Sequence, residues 1–99
     1  MKLTHNGGAM VVLLPKECLV FEVEAHADLA VAAGWDTPEL EEVVIDAGAV
    51  AAMDTAYFQL ILAMRRSALK RDKTFRVRNP SPAMKEIADL YGLPLWQGT

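Results

Sequence analysis

The apolar positions of the chain follow two periods, one of strands and one of helices. Residues 9–14 form an unbroken apolar run closed by Pro15, which predicts a buried or edge strand. Lys16-Glu17 reads as a turn into residues 18–24, where Phe21 and Val23 alternate with Glu22 and Glu24. That alternation predicts a strand with one wet face, forming a hairpin with the first. Residues 25–33 are alanine-rich and predict a short helix that starts near His26 or Asp28 and stops at Gly34. Asp36-Thr37-Pro38 then predicts a further helical turn with Pro38 at its first position. Residues 43–47, Val-Val-Ile-Asp-Ala, read as a short strand buried on both faces.

The clearest helix is predicted over residues 55–70. Tyr57, Leu60, Ile61, Met64 and Ala68 make one apolar stripe at i, i+3, i+4, i+7 and i+11, widened by Phe58 and Leu62. Gln59, Arg66 and Lys70 fall on the opposite side. Asp54 is a favoured N-cap type, and the basic residues at the far end complement the helix dipole. Residues 74–78 alternate Phe75 and Val77 with Thr74, Arg76 and Arg78. With the strand at 43–47 and the intervening helix, they predict a right-handed βαβ unit with parallel strands. Asn79-Pro80 ends that strand. Ser81 is expected to cap a last helix with Pro82 at its first position, an apolar face of Met84, Ile87, Ala88 and Tyr91, and Gly92 as a left-handed cap. Leu93, Pro94, Leu95 and Trp96 are expected to fold back on the body.

The chain's 99 residues suffice for one domain, 1–99, with its core over about 9–95. No apolar run approaches the ~20 residues of a membrane span. The run that follows Lys2 ends at Pro15, too short for a signal-peptide core, so the chain is expected in the cytoplasm without direct membrane insertion. Cys18 is the only cysteine and sits among Leu19, Val20 and Phe21, so it reads as a buried small hydrophobe. His5 and His26 fall in expected loops without helical spacing to any ligand, and no metal site or cofactor is predicted.

Charge is divided along the chain. Residues 1–64 carry a net −8 and residues 65–99 a net +5. The basic residues Arg65, Arg66, Lys70, Arg71, Lys73, Arg76 and Arg78 have Phe75 as the one aromatic interleaved among them. A solvated helix end and strand is therefore expected, and after that a docking surface for an acidic protein; nucleic acid is not.

No residues converge for catalysis: there is no glycine-rich phosphate loop and no nucleophile elbow. A triad of Thr55, His26 and a carboxylate has no support in the spacing. What stands out is Asp54-Thr55-Ala56 at the mouth of the apolar helix, where the first N–H groups lack intrahelical partners. Such a place serves as a cap, an anion site or a phosphorylation switch.

The strand VVIDAGAV, the helix start MDTAYFQLILAMRRSA, the strand TFRVRN and the terminal PSPAMKEIADLYGL resemble, in order and spacing, the STAS family of sulphate-transporter and anti-sigma-factor-antagonist domains. The resemblance implies an α/β fold with a mixed sheet of about four to five strands and helices packed mainly on one face. It also implies a non-enzymatic switch module, an anti-sigma-factor antagonist or signalling adaptor. The partner it implies is a protein, an anti-sigma kinase, and a monomer or weak homodimer is expected. The family's usual pattern is Asp-Ser/Thr-Ser/Ala-Gly before an apolar helix, with the phosphorylated serine at the position of Ala56 and a glycine at that of Tyr57. Ala56 has no hydroxyl, and Thr55 is the remaining candidate phosphosite. Asp-Thr-Ala resembles a second branch, the small STAS subunit of a phospholipid-transport ABC system, which docks on its ATPase subunit. The expected partner-binding residues are Asp54, Thr55, Ala56, Tyr57 and Phe58. A small nucleotide-binding domain is the third reading.

Overall fold

A computed structural model describes residues 1–31 and 37–92. Their elements run β1 (Lys2–Asn6), β2 (Ala9–Leu13), β3 (Glu17–Cys18), α1 (Val20–Val31), β4 (Glu42–Asp46), β5 (Ala52–Met53), α2 (Thr55–Lys70), β6 (Thr74–Arg78) and α3 (Pro82–Tyr91). Four strands form a mixed sheet in the order β1-β2-β4-β6, and β3 and β5 form a separate two-stranded sheet.

The β4-α2-β6 unit is parallel, in the register Val43 to Phe75 and Ile45 to Val77. Met10, Val12, Val43, Ile45, Phe75 and Val77 line one sheet face, all buried. The stripe of α2 supplies Tyr57, Phe58, Ile61, Met64 and Ala68, and α3 adds Met84, Ile87 and Ala88 to the same core. The other sheet face is polar at its rim. There Arg78 Nε donates to Asp46 Oδ2 at 3.0 Å and Arg76 Nε to Glu42 Oε2 at 3.4 Å, sheltering the buried Val44 between them. At α3 the Ser81 hydroxyl accepts from Met84 N–H, Pro82 opens the helix, and Gly92 closes it at φ 67°.

Four expectations are corrected. Residues 18–24 are not a strand: β3 stops at Cys18 and α1 begins at Val20. The apolar-polar alternation there occupies the first turn of a helix that carries apolar residues on nearly every side. The hairpin instead pairs β2 with β1, whose polar sequence Lys-Leu-Thr-His-Asn gave no apolar signal. Gly7 turns that hairpin at φ 64°, a conformation with little steric cost only for glycine. Finally, Lys73 is not part of a solvated basic run. It is buried, and its Nζ donates to the carbonyls of Leu40 at 2.7 Å and Thr37 at 3.1 Å, tying the segment before β4 to the end of α2. Pro38 lies in a turn closed by Leu40 N–H on the Thr37 carbonyl, not in a helix. The expected stop at Gly34, the start at Asp36 and the return of residues 93–96 lie outside the described residues.

Candidate functional site

The site is built where two short parallel strands each feed a helix. In the β3–β5 pair Cys18 lies beside Met53, and α1 and α2 start two residues further along their chains. The two helix N-termini therefore emerge side by side, each with N–H groups that have no partner in its own helix. The residue before α1 is Leu19, which has no capping atom. The residue before α2 is Asp54, and its carboxylate serves both helices. Oδ1 accepts from Tyr57 N–H at 2.9 Å and Oδ2 from Val20 N–H at 2.6 Å. One negative charge thus sits at the positive ends of two helix dipoles.

Directly behind this carboxylate, Tyr57 is fully buried, and its hydroxyl is hydrogen-bonded to His26 Nδ1 of α1 across 2.6 Å, with the rings edge-on. His26 is therefore a buried helix residue, not a loop residue. Burial and the nearby amino group of Met1 lower its pKa, against the opposing pull of Glu22 at 3.6 Å. Burial raises the Tyr57 hydroxyl and pushes the Cys18 thiol up to about 11, so both stay protonated near neutrality. Cys18 Sγ donates to the Pro15 carbonyl at 3.4 Å, and an un-ionised, buried thiol of this kind is unreactive.

Of the five residues expected at a partner-binding surface, the structure exposes Thr55, leaves Asp54 and Ala56 half-buried, and buries Tyr57 and Phe58 completely. The two aromatics hold the helix start from beneath: Tyr57 against α1, Phe58 against Tyr91 with ring centroids 5.0 Å apart. Beside Thr55 a shallow cleft of about 480 Å³ opens between the helix start and α3, lined by Met53, Asp54, Ala83, Glu86, Ile87 and Leu90 among others. The loop after β4 is fixed by Asp46, whose Oδ1 accepts from Gly48 N–H at 3.0 Å. Partial burial alone would raise the Asp46 pKa, but the Gly48 N–H, Arg78 and Asn79 outweigh it and hold the carboxyl below its ordinary range. Among the described residues no three His, Cys, Asp or Glu side chains gather as a metal-binding group, and no helix is long and apolar enough to cross a membrane.

The sequence profile of the family described as Mlab, STAS domain matches residues 20–94. The chain belongs to the STAS domain family. Its fold is similar to that of the Bacillus cell fate determinant SpoIIAA in the phosphorylated form. The TM-score is 0.76 at 20% identity, over 96% of this chain and 86% of that one. It is also similar to part of a structure described as a crystal structure analysis of Mglu, with a TM-score of 0.70 at 17% identity. That match takes in 82% of this chain but only 20% of the other, so the STAS domain spans about a fifth of that protein's length. No curated protein matches the sequence.

Sequence reasoning located the STAS domain's Asp54 cap but not its second client. Val20 lies 34 residues away, and the only hint is the absence of a capping side chain before a helix whose first residues, 20–24, alternate like a strand. His26 falls near the expected start of the helix over 25–33, and no local pattern marks its bond to Tyr57 of α2.

Proposed function

We propose that this STAS domain is a non-enzymatic protein-interaction regulator of the anti-sigma-factor-antagonist or signalling-adaptor type. It docks a protein partner through the surface around Asp54, Thr55 and Ala56. The observation that carries this reading is the exposed Thr55 on a helix start held rigid from two sides, by the shared Asp54 cap and by the buried Tyr57 and Phe58. A surface whose backbone is fixed before binding loses little entropy on association. The neighbouring cleft offers a partner side chain an apolar seat beside Thr55.

Control by phosphate at the family's usual position has no chemical basis here, since Ala56 carries only a methyl group. Thr55 is the candidate that remains. A phosphate there would add about −1.5 to −2 charges beside Asp54. The bare methyl at 56 together with Asp54-Thr55 favours the second reading, an accessory STAS subunit that docks on the ATPase of a phospholipid-transport ABC complex. Nucleotide binding has less support, because Arg76 and Arg78 face carboxylates and Lys73 is buried on carbonyls.

Thr55→Glu tests the docking surface. Titration calorimetry against a candidate kinase or ABC ATPase subunit should show a loss of affinity with the fold unchanged by circular dichroism. Unchanged affinity places the interface elsewhere. A stoichiometric phosphate mapped to Thr55 after incubation with kinase and ATP would restore the switch reading.

A further inference from the structure

Helix α1 has two faces, and only one is used by the fold. His26 and Ala30 are buried, and Val23 packs on the core. On the opposite side Phe21, Ala25 and Leu29 are spaced i, i+4 and i+8 and form a continuous exposed stripe about 12 Å long. Phe21 is 89% exposed and Leu29 45%. An exposed Phe at the head of an apolar helical stripe gives folding nothing, since its area stays in water. Carboxylates flank the stripe on both sides, Glu24 and Asp28 along one edge and Glu22 along the other, all exposed, and α1 contains no Lys or Arg.

The geometry points to a second docking surface on α1, for an amphipathic helix of another protein whose apolar stripe is bordered by Lys or Arg. The apolar stripe supplies the area, and the carboxylate borders select the sign of the partner's flanks. A second copy of this chain does not fit, because a two-fold contact through α1 would set Glu22, Glu24 and Asp28 against their own equivalents. An anionic membrane is repelled by the same three charges. The surface lies apart from Thr55: Val20 abuts Asp54, but the stripe runs along α1 away from it.

The test is photo-crosslinking of the full chain in its native host, with benzoylphenylalanine in place of Phe21 and the crosslinked segment mapped by mass spectrometry. The expected result is an adduct to a helical segment of another protein with basic residues bordering its apolar positions. Glu24→Lys/Asp28→Lys should reduce its yield about tenfold, the loss expected when complementary charges become like charges. Phe21 and Leu29 are exposed, so Leu29→Ser should keep the fold, checked by circular dichroism, while weakening the adduct. Thr55→Glu should leave the adduct in place. An adduct to a second copy, to lipid or to an acidic segment overturns the inference, as does no adduct. Loss of the adduct in Thr55→Glu also overturns it, because Phe21 would then belong to the Thr55 surface.

Discussion

Replacing Asp54 by Ala removes the acceptor of two helices at once. Loss of one N-cap costs about 0.5–2 kcal/mol. Here Val20 and Tyr57 N–H groups lose bonds of 2.6 and 2.9 Å to the same carboxylate. Its charge, near two dipole ends, contributes a further ~0.3–1 kcal/mol at each. We expect a total of about 3 kcal/mol, a large part of the ~5–15 kcal/mol that holds a small domain together. The corresponding fall in melting midpoint is roughly 12–24 °C for a domain of this size. Asp54→Asn should lose about half as much, because one amide oxygen can serve one helix while the amide NH2 faces the other helix's N–H. Asp54→Ser should keep the α2 cap alone and fall in the same range. Urea unfolding followed by circular dichroism gives the free energies, and amide exchange reads Val20 and Tyr57 separately. A loss under about 0.5 kcal/mol for Asp54→Ala, or an Asp54→Asn variant as stable as the parent, would refute the double cap.

Tyr57→Phe leaves a buried His26 nitrogen without its partner, and we expect a loss of about 1–3 kcal/mol by urea unfolding; no change would mean that the 2.6 Å contact is not a stabilising bond. Folding lowers the His26 pKa from its usual 6.5, so the native state binds fewer protons there than the unfolded chain. That contribution to stability is complete above the unfolded value and is lost as pH falls through it toward the lower folded value. The melting midpoint should therefore drop as pH falls from about 7.5 to about 5.5, across the ordinary His range, and His26→Gln should flatten the drop; equal slopes for the two proteins would exclude His26 as a contributor. Lys73→Met removes the donor to two carbonyls and should cost about 1.5–3 kcal/mol while accelerating amide exchange at Leu40. Wild-type stability in that variant would show the tether to be idle.

The elements legible in the sequence were those whose local chemistry and periodicity agreed. For α2 the apolar stripe, the Asp54 cap and the basic end all name the same helix, and for α3 Ser81, Pro82 and Gly92 mark both ends. β4 and β6 are bounded by breakers and carry branched or alternating residues. One element, β1, and the first part of another, α1, escaped for opposite reasons. β1 is an edge strand with Leu3 as its one inward aliphatic residue, so it has almost no hydrophobic pattern to read. α1 has too much, with Val20, Phe21 and Leu29 exposed on its outer side, and its start is capped by a residue from another element. At the site, the position and chemistry of Asp54-Thr55 were readable from the chain. The burial of Tyr57 and Phe58, and the joining of Tyr57 to His26, follow from how α1 lies on α2, which no local pattern encodes.

The β3–β5 pair is only two residues long on each side, yet it brings the start of α1 to the cap of α2. Until Cys18 lies beside Met53, the carboxylate that starts α1 is 34 residues away along the chain. The cap of α2 has no such dependence, since Asp54 directly precedes that helix in sequence. For the α1 cap to form, loop closure across those 34 residues has to come first. Conservative substitutions in α2 should then slow folding, while those at the start of α1 should chiefly speed unfolding. The helix that bears the exposed Phe21 stripe thus takes its cap from the tertiary fold, whereas α2 takes its cap from the chain.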